Sequence, residues 1–140
     1  MPSGLVTLKT RADFLRVAAS RRRSARPGLV LQAAPSPIGE SAAARVGYTA
    51  SRKVGNAVVR NRAKRRLRAA AAEVLPQAGR RGTDYVLIAR AATGARAYPD
   101  LVADLASALR QIDRMGPRLA ERASDRDARP RPGEERRDGL

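Results

Sequence analysis

The stretch Asn56-Ala57-Val58-Val59-Arg60-Asn61-Arg62-Ala63-Lys64-Arg65-Arg66-Leu67-Arg68, continued by residues 69–75, decides how the rest of the chain is read. Placed on a helix at roughly 100° per residue, Val59, Ala63, Leu67, Ala70 and Val74 fall within an arc of about 80°. That arc predicts a buried stripe. Arg60, Lys64 and Arg68 form a row at i, i+4 and i+8, with Asn61, Arg62 and Arg65 farther round the exposed side. Asn56 has the chemistry of an N-cap, and Pro76 with Gly79 supplies a stop, so the spacing predicts one long helix to about Leu75.

Outward from this helix the pattern changes period. Leu29–Ala34 and Arg45–Ala50 are expected as strands, with the Pro/Gly/Ser loop 35–41 closing them into a hairpin. Asp84-Tyr85-Val86-Leu87-Ile88-Ala89 is a continuous apolar run between turn residues, hence a buried strand. Near the start, Thr10-Arg11-Ala12-Asp13 forms a capping box that opens a short helix carrying Phe14 and Val17, and Arg21-Arg22-Arg23 follows as a basic loop. Pro99 begins a last helix with Leu101, Leu105, Leu109 and Ile112 along one side. The order is α-β-β-α-β-α, an α+β fold in which a small sheet is packed by helices in a compact two-layer sandwich. Residues 1–116 make the domain. Residues 117–140 hold seven arginines, six acids and three prolines with almost no large apolar side chain, a composition expected to give a disordered charged tail.

Charge narrows the function. The 140 residues carry 29 Lys+Arg against 13 Asp+Glu, a net charge of +16. Nearly all of it lies in residues 1–116, which hold 22 basic and seven acidic side chains. Such a surplus attracts polyanions, nucleic acid before any anionic membrane. Arg52–Arg68 alone has eight basic residues and no acid. Like charges at i, i+4 repel, so an uncompensated row implies a counter-charge supplied from outside. The arginine fork suits phosphate oxygens, and Ser51 and Asn56 can add directional hydrogen bonds. With no histidine and no cysteine in the chain, imidazole bases, thiolate nucleophiles, disulfides and the usual zinc sites are excluded. There is no run of 18 apolar residues and no signal core in residues 1–20, so a soluble, cytoplasmic protein with no membrane association is expected.

Arg45-Val46-Gly47 followed by Ser51-Arg52-Lys53-Val54-Gly55-Asn56 and the helix through Arg68 resembles the Arg-Asn-Arg signature of the bacterial ribonuclease P protein component. The likeness extends to Leu8–Phe14 and to Asp84–Arg90, covering about residues 5–114. What the resemblance implies is the protein subunit of a ribonucleoprotein endoribonuclease. Its RNA is the catalyst, removes the 5′ leader of precursor tRNA, and binds most of the magnesium, none being held by protein alone. The implied partners are that RNA and precursor tRNA, with no obligatory protein partner. Carried over residue by residue, Arg60, Asn61, Arg62, Lys64, Arg65 and Arg68 would face the catalytic RNA. Phe14, Ser51, Arg52, Lys53 and Arg90 would line a cleft for single-stranded leader. No catalytic residue and no metal ligand is expected in the protein, and Asp13 is expected as a cap. The family also implies a left-handed strand–helix–strand crossover, where general rules give a right-handed one.

Two positions depart from the family pattern: Ala18 and Gln32 stand where aromatics are often found, so leader binding is expected to rest more on charge than on stacking. On composition alone, a non-catalytic structural RNA-binding protein such as a ribosomal protein is the alternative, and cleavage of precursor tRNA with the catalytic RNA at low magnesium separates the two.

Overall fold

A computed structural model describes residues 5–115; the expected tail at 117–140 lies outside them. Five strands and three helices are formed: β1 (Val6–Thr7), α1 (Arg11–Ala19), β2 (Arg22–Arg26), β3 (Leu29–Pro35), β4 (Arg45–Thr49), a 3₁₀ turn (Arg52–Val54), α2 (Ala57–Ala78), β5 (Thr83–Ala89) and α3 (Tyr98–Met115). The strands make one sheet in the order β1-β4-β5-β3-β2. This is the α+β architecture read from the sequence, with two strands added.

The centre of the sheet belongs to β5. It runs antiparallel to β3, pairing Leu29 with Ala89 through Pro35 with Thr83, and parallel to β4, pairing Arg45 with Asp84 through Thr49 with Ile88. The expected hairpin between β3 and β4 is therefore absent, because β5 lies between them. The physical reason is that a continuous apolar run is best satisfied where both edges are paired and both faces covered. The hairpin that does form joins β2 to β3, with Arg22 opposite Ala33 and Arg26 opposite Leu29. Arg21-Arg22-Arg23 is expected as a basic loop, but Arg22–Arg26 has no apolar alternation and cross-strand pairing to β3 makes it a strand, with Ser24 and Arg26 both bonded to Gln111 of α3.

Strand alternation divides the core. Leu29, Leu31, Ala33, Val46, Tyr85, Leu87 and Ala89 point to the face covered by α2 and α3, where they meet Ala63, Leu67, Ala70, Leu101, Leu105, Leu109 and Ile112. The opposite face carries a smaller cluster of Leu8, Val17, Ala34 and Val86, with Phe14 and Ile88 packed on it, so α1 sits there. Burying the leucines, valines and isoleucines among these contributes roughly 1.5–3 kcal/mol each, which is why a chain so poor in aromatics can still hold three helices on one sheet.

Local chemistry sets the helix ends. The Thr10 hydroxyl accepts from the Asp13 backbone N–H at 3.1 Å, the N-cap half of the expected capping box, and donates to the Asp13 carboxylate at 2.9 Å. The hydrogen bond from Thr10, then that from Arg16, holds the Asp13 carboxyl below its ordinary pKa. Asn56 Oδ1 accepts from the Val59 N–H at 3.0 Å and caps α2. Pro76 does not stop that helix. It lies exposed in the last turn, where solvent can take the carbonyl left without its N–H, and the helix runs on to Ala78.

Candidate nucleic-acid interface

Burial along α2 is rotated from the sequence expectation. The buried residues are Ala63, Leu67, Ala70, Ala71 and Leu75, while Val59 is 39% exposed and Val58 is 76% exposed. The first turn of α2 thus lies outside the core, and the residues that follow bury a stripe shifted toward Ala71 and Leu75. Arg60 and Lys64 lie on the flank of that stripe and are half-buried, whereas Asn61, Arg62, Arg65 and Arg68 are exposed.

No acid occurs between Ser41 and Ala72. Among the described residues none of Arg60, Arg62, Lys64, Arg65 and Arg68 pairs with a carboxylate, although Arg16, Arg45, Arg80 and Arg96 all do. Among the described residues the ion-paired carboxylates, Asp13, Asp84, Asp104 and Asp113, all serve other arginines. Arg68 is oriented by stacking, its Cζ 4.9 Å from the centroid of the Tyr48 ring. Burial pushes the Tyr48 hydroxyl pKa up, with the Arg68 charge acting the other way.

Arg66 behaves differently from its neighbours. Its guanidinium donates to the carbonyls of Gly94 at 2.7 Å, Thr93 at 3.2 Å and Arg96, clamping the loop between β5 and α3. One arginine in the run is therefore structural, which counting charges along the sequence does not reveal.

A second basic locus precedes α2. Ser51, Arg52 and Lys53 are exposed in and beside the 3₁₀ turn that leaves β4. The turn meets the helix at Gly55, whose φ of +151° and missing Cβ are both required; a Cβ there would stand 2.8 Å from Val59 Cβ. Because β4 and β5 are parallel, Arg90 at the end of β5 emerges at the same end of the sheet. Its guanidinium donates to the Arg26 carbonyl at 2.7 Å, so Arg90 is exposed but tied to β2.

Phe14 is half-buried on α1 and lies directly over β4, where Gly47 makes room for it: a Cβ at Gly47 would be 2.5 Å from Phe14 Cζ. Beneath α1 the Asp84 carboxylate is fully buried, taking Arg45 Nε at 2.9 Å, Arg45 Nη2 at 2.7 Å and the Arg16 guanidinium. The hydrogen bond to Asp84 raises the Arg45 pKa further, so that guanidinium stays charged. Arg16 also donates to the Pro35 carbonyl at 2.9 Å. This network fastens α1 to β3, β4 and β5 and fixes the height of Phe14 above the sheet; the sequence reading missed it, since only the fold brings Arg16, Arg45 and Asp84 together.

The two residue sets consequently lie on opposite sides of the sheet. The α2 row faces outward from one side. Phe14 belongs to the other, and Ser51–Lys53 sits at the sheet end between them. No group of three or more His, Cys, Asp or Glu suited to a metal occurs among the described residues. The Asp13 carboxylate takes the Thr10 hydroxyl and Arg16, Asp84 holds two guanidiniums, Asp104 takes the Gly28 N–H and Arg96, and Asp113 pairs with Arg80. These carboxylates do not fit a magnesium site of the protein's own.

Comparison with known proteins bears on the fold and the family. The family model described as Ribonuclease P matches residues 4–113. The chain is 50% identical over 127 residues to the ribonuclease P protein component of Paramagnetospirillum magneticum, covering 89% of this chain and 96% of that protein. It is 50% identical over 111 residues to that of Ruegeria pomeroyi, covering 79% and 88%. Among solved structures, the RNase P protein of Staphylococcus aureus superposes with a TM-score of 0.61 at 26% identity, covering 74% of this chain and 92% of that one. The RNase P protein of Thermotoga maritima, at 22% identity and a TM-score of 0.60, shares the fold over 72% and 92%. With an acid-free arginine helix on this sheet and a family match spanning nearly all the described residues, the chain belongs to the ribonuclease P protein family.

Proposed function

We propose that this chain is the protein subunit of ribonuclease P, and that it assists removal of the 5′ leader from precursor tRNA by binding two RNAs on two surfaces. The observation that carries this reading is the basic row on α2, where Arg62, Arg65 and Arg68 are exposed, Arg60 and Lys64 are half-buried, and none of the five pairs with a carboxylate among the described residues. Arg60, Asn61, Arg62, Lys64, Arg65 and Arg68 bind the catalytic RNA. Phe14, Ser51, Arg52 and Lys53 bind the leader, with Arg90 shaping the groove through its bond to Arg26.

The division of labour follows from the side chains. The chain has no histidine and no cysteine; in this reading it contributes binding and orientation while the RNA carries the hydrolysis. Magnesium is held by the RNA and supplies the activation of water there. A second RNA surface raises the affinity for precursor over mature tRNA, because only the precursor has a leader to hold. No helix among the described residues is long and apolar enough to cross a membrane, and the protein works with its RNA in the cytoplasm.

Reconstitution tests the proposal. Purified chain added to the catalytic RNA of the same organism should restore precursor cleavage at low magnesium, where RNA alone is slow. Failure to stimulate cleavage by a folded preparation that binds the RNA would reject it. The leader surface has its own test. Phe14→Leu keeps most of the packing over Gly47 but removes the ring, and Lys53→Ala removes one charge. Each should weaken precursor binding, the ring by on the order of 1 kcal/mol or more if a base stacks on it. The loss at Lys53 should shrink as salt rises. Equal weakening toward mature tRNA would place both residues outside the leader groove.

A further inference from the structure

Thr93, in the loop between β5 and α3, is wholly buried, and its hydroxyl belongs to neither of the two RNA surfaces. Its Oγ1 accepts from the Arg90 backbone N–H at 2.7 Å and donates to the Gly28 carbonyl at 2.7 Å. Its own N–H returns to the Arg90 carbonyl at 3.0 Å. One side chain thus joins Arg90, at the end of β5, to the turn between β2 and β3.

Both sides of this joint are held from behind. The Gly28 N–H donates to Asp104 Oδ2 at 2.9 Å and Arg96 Nε to the same oxygen at 2.6 Å, so the turn is fastened to α3. Arg66 donates to the Thr93 carbonyl at 3.2 Å and to the Gly94 carbonyl at 2.7 Å, which fastens the loop to α2. The far end of Arg90 meets the same turn, since its guanidinium donates to the Arg26 carbonyl at 2.7 Å. Arg90 is nevertheless exposed and has no carboxylate partner among the described residues. The rest of its fork is free to take an anion. An arginine tied at its backbone and at its guanidinium has less rotamer freedom left to lose when that anion binds.

We propose that Thr93 is a positioning residue for Arg90. Its buried hydroxyl, with Arg66 clamping the carbonyl of the same residue, sets the Arg90 fork at the sheet end before a phosphate of the precursor's leader arrives. This rests on the reading that the leader passes that end of the sheet. The contact goes to phosphate, so it strengthens precursor binding without choosing among bases.

The test titrates the holoenzyme, reconstituted from this chain and its catalytic RNA, with precursor and with mature tRNA. Thr93→Val keeps the shape and removes the hydroxyl; it should lower the preference for precursor by about three- to tenfold. Thr93→Ser restores the hydroxyl and should stay within about twofold of the unaltered protein. Arg90→Ala should lower the preference at least as far as the valine variant, and adding Thr93→Val to it should cost less than about twofold more. Should the valine variant fail to fold, Arg66→Gln, which releases the Thr93 carbonyl, carries the same expectation with and without Arg90→Ala. Preference retained in a folded Thr93→Val protein, an Arg90→Ala protein that binds like the parent, or losses that add in full overturns the assignment. If the unaltered protein binds precursor and mature tRNA equally, the leader reading itself falls and takes this role of Thr93 with it.

Discussion

Asp84→Asn is expected to lower stability by about 3 kcal/mol, and the melting temperature by on the order of 10–20 °C. Asp84 is fully buried and its carboxylate is the shared partner of Arg16 and Arg45. Removing one member of a buried ion network leaves the other charges uncompensated, at about 3–5 kcal/mol. The lower end applies because the Arg16 side chain is 32% exposed and can turn toward water. Replacing the three together, as Arg16→Met, Asp84→Leu and Arg45→Met, should recover at least half of that loss, since the one charge left, Asp13, is partly exposed and keeps its hydrogen bond from Thr10. Chemical denaturation of the single and triple variants measures both. A single variant within about 1 kcal/mol of the parent would mean that the network does not fasten α1.

The largest effect on binding is expected from Arg62→Gln with Arg65→Gln. Both residues are exposed on α2 and neither has a carboxylate partner among the described residues. If each holds one phosphate of the catalytic RNA, the double variant should lose affinity on the order of a hundredfold at low salt. The slope of log K against log salt should become shallower by about 1.4–1.8. Melting should be unchanged or slightly higher, because the substitutions relieve repulsion along the helix face. Arg66→Gln is the opposite case: it frees the carbonyls of Thr93, Gly94 and Arg96, so stability should fall while the salt slope stays. An unchanged slope in a folded double variant would remove Arg62 and Arg65 from the RNA surface.

These two predictions draw on different information. The second was legible in the chain itself, because the basic helix, its N-cap and the missing acids are local properties. The first was not. Asp84 looked like the flank of an apolar strand, and its partners lie 39 and 68 residues away in sequence.

The sequence by itself determined every element with a period of its own: α1 by its capping box, α2 by Asn56 and its small-residue stripe, β5 by its apolar run, α3 by its leucines. It also carried the expectation that an acid-free helix face of this charge meets a polyanion. Tertiary structure alone decided the partnerships. It placed β5 between β3 and β4, made a strand of Arg22–Arg26, put α1 on the far face from α2, and turned Arg66 into a clamp while leaving Arg62 and Arg65 outside. The reason is that capping, periodicity and charge act over a few residues, whereas strand order and the fate of a long arginine depend on which surfaces must be covered. Those surfaces exist only once distant segments have met.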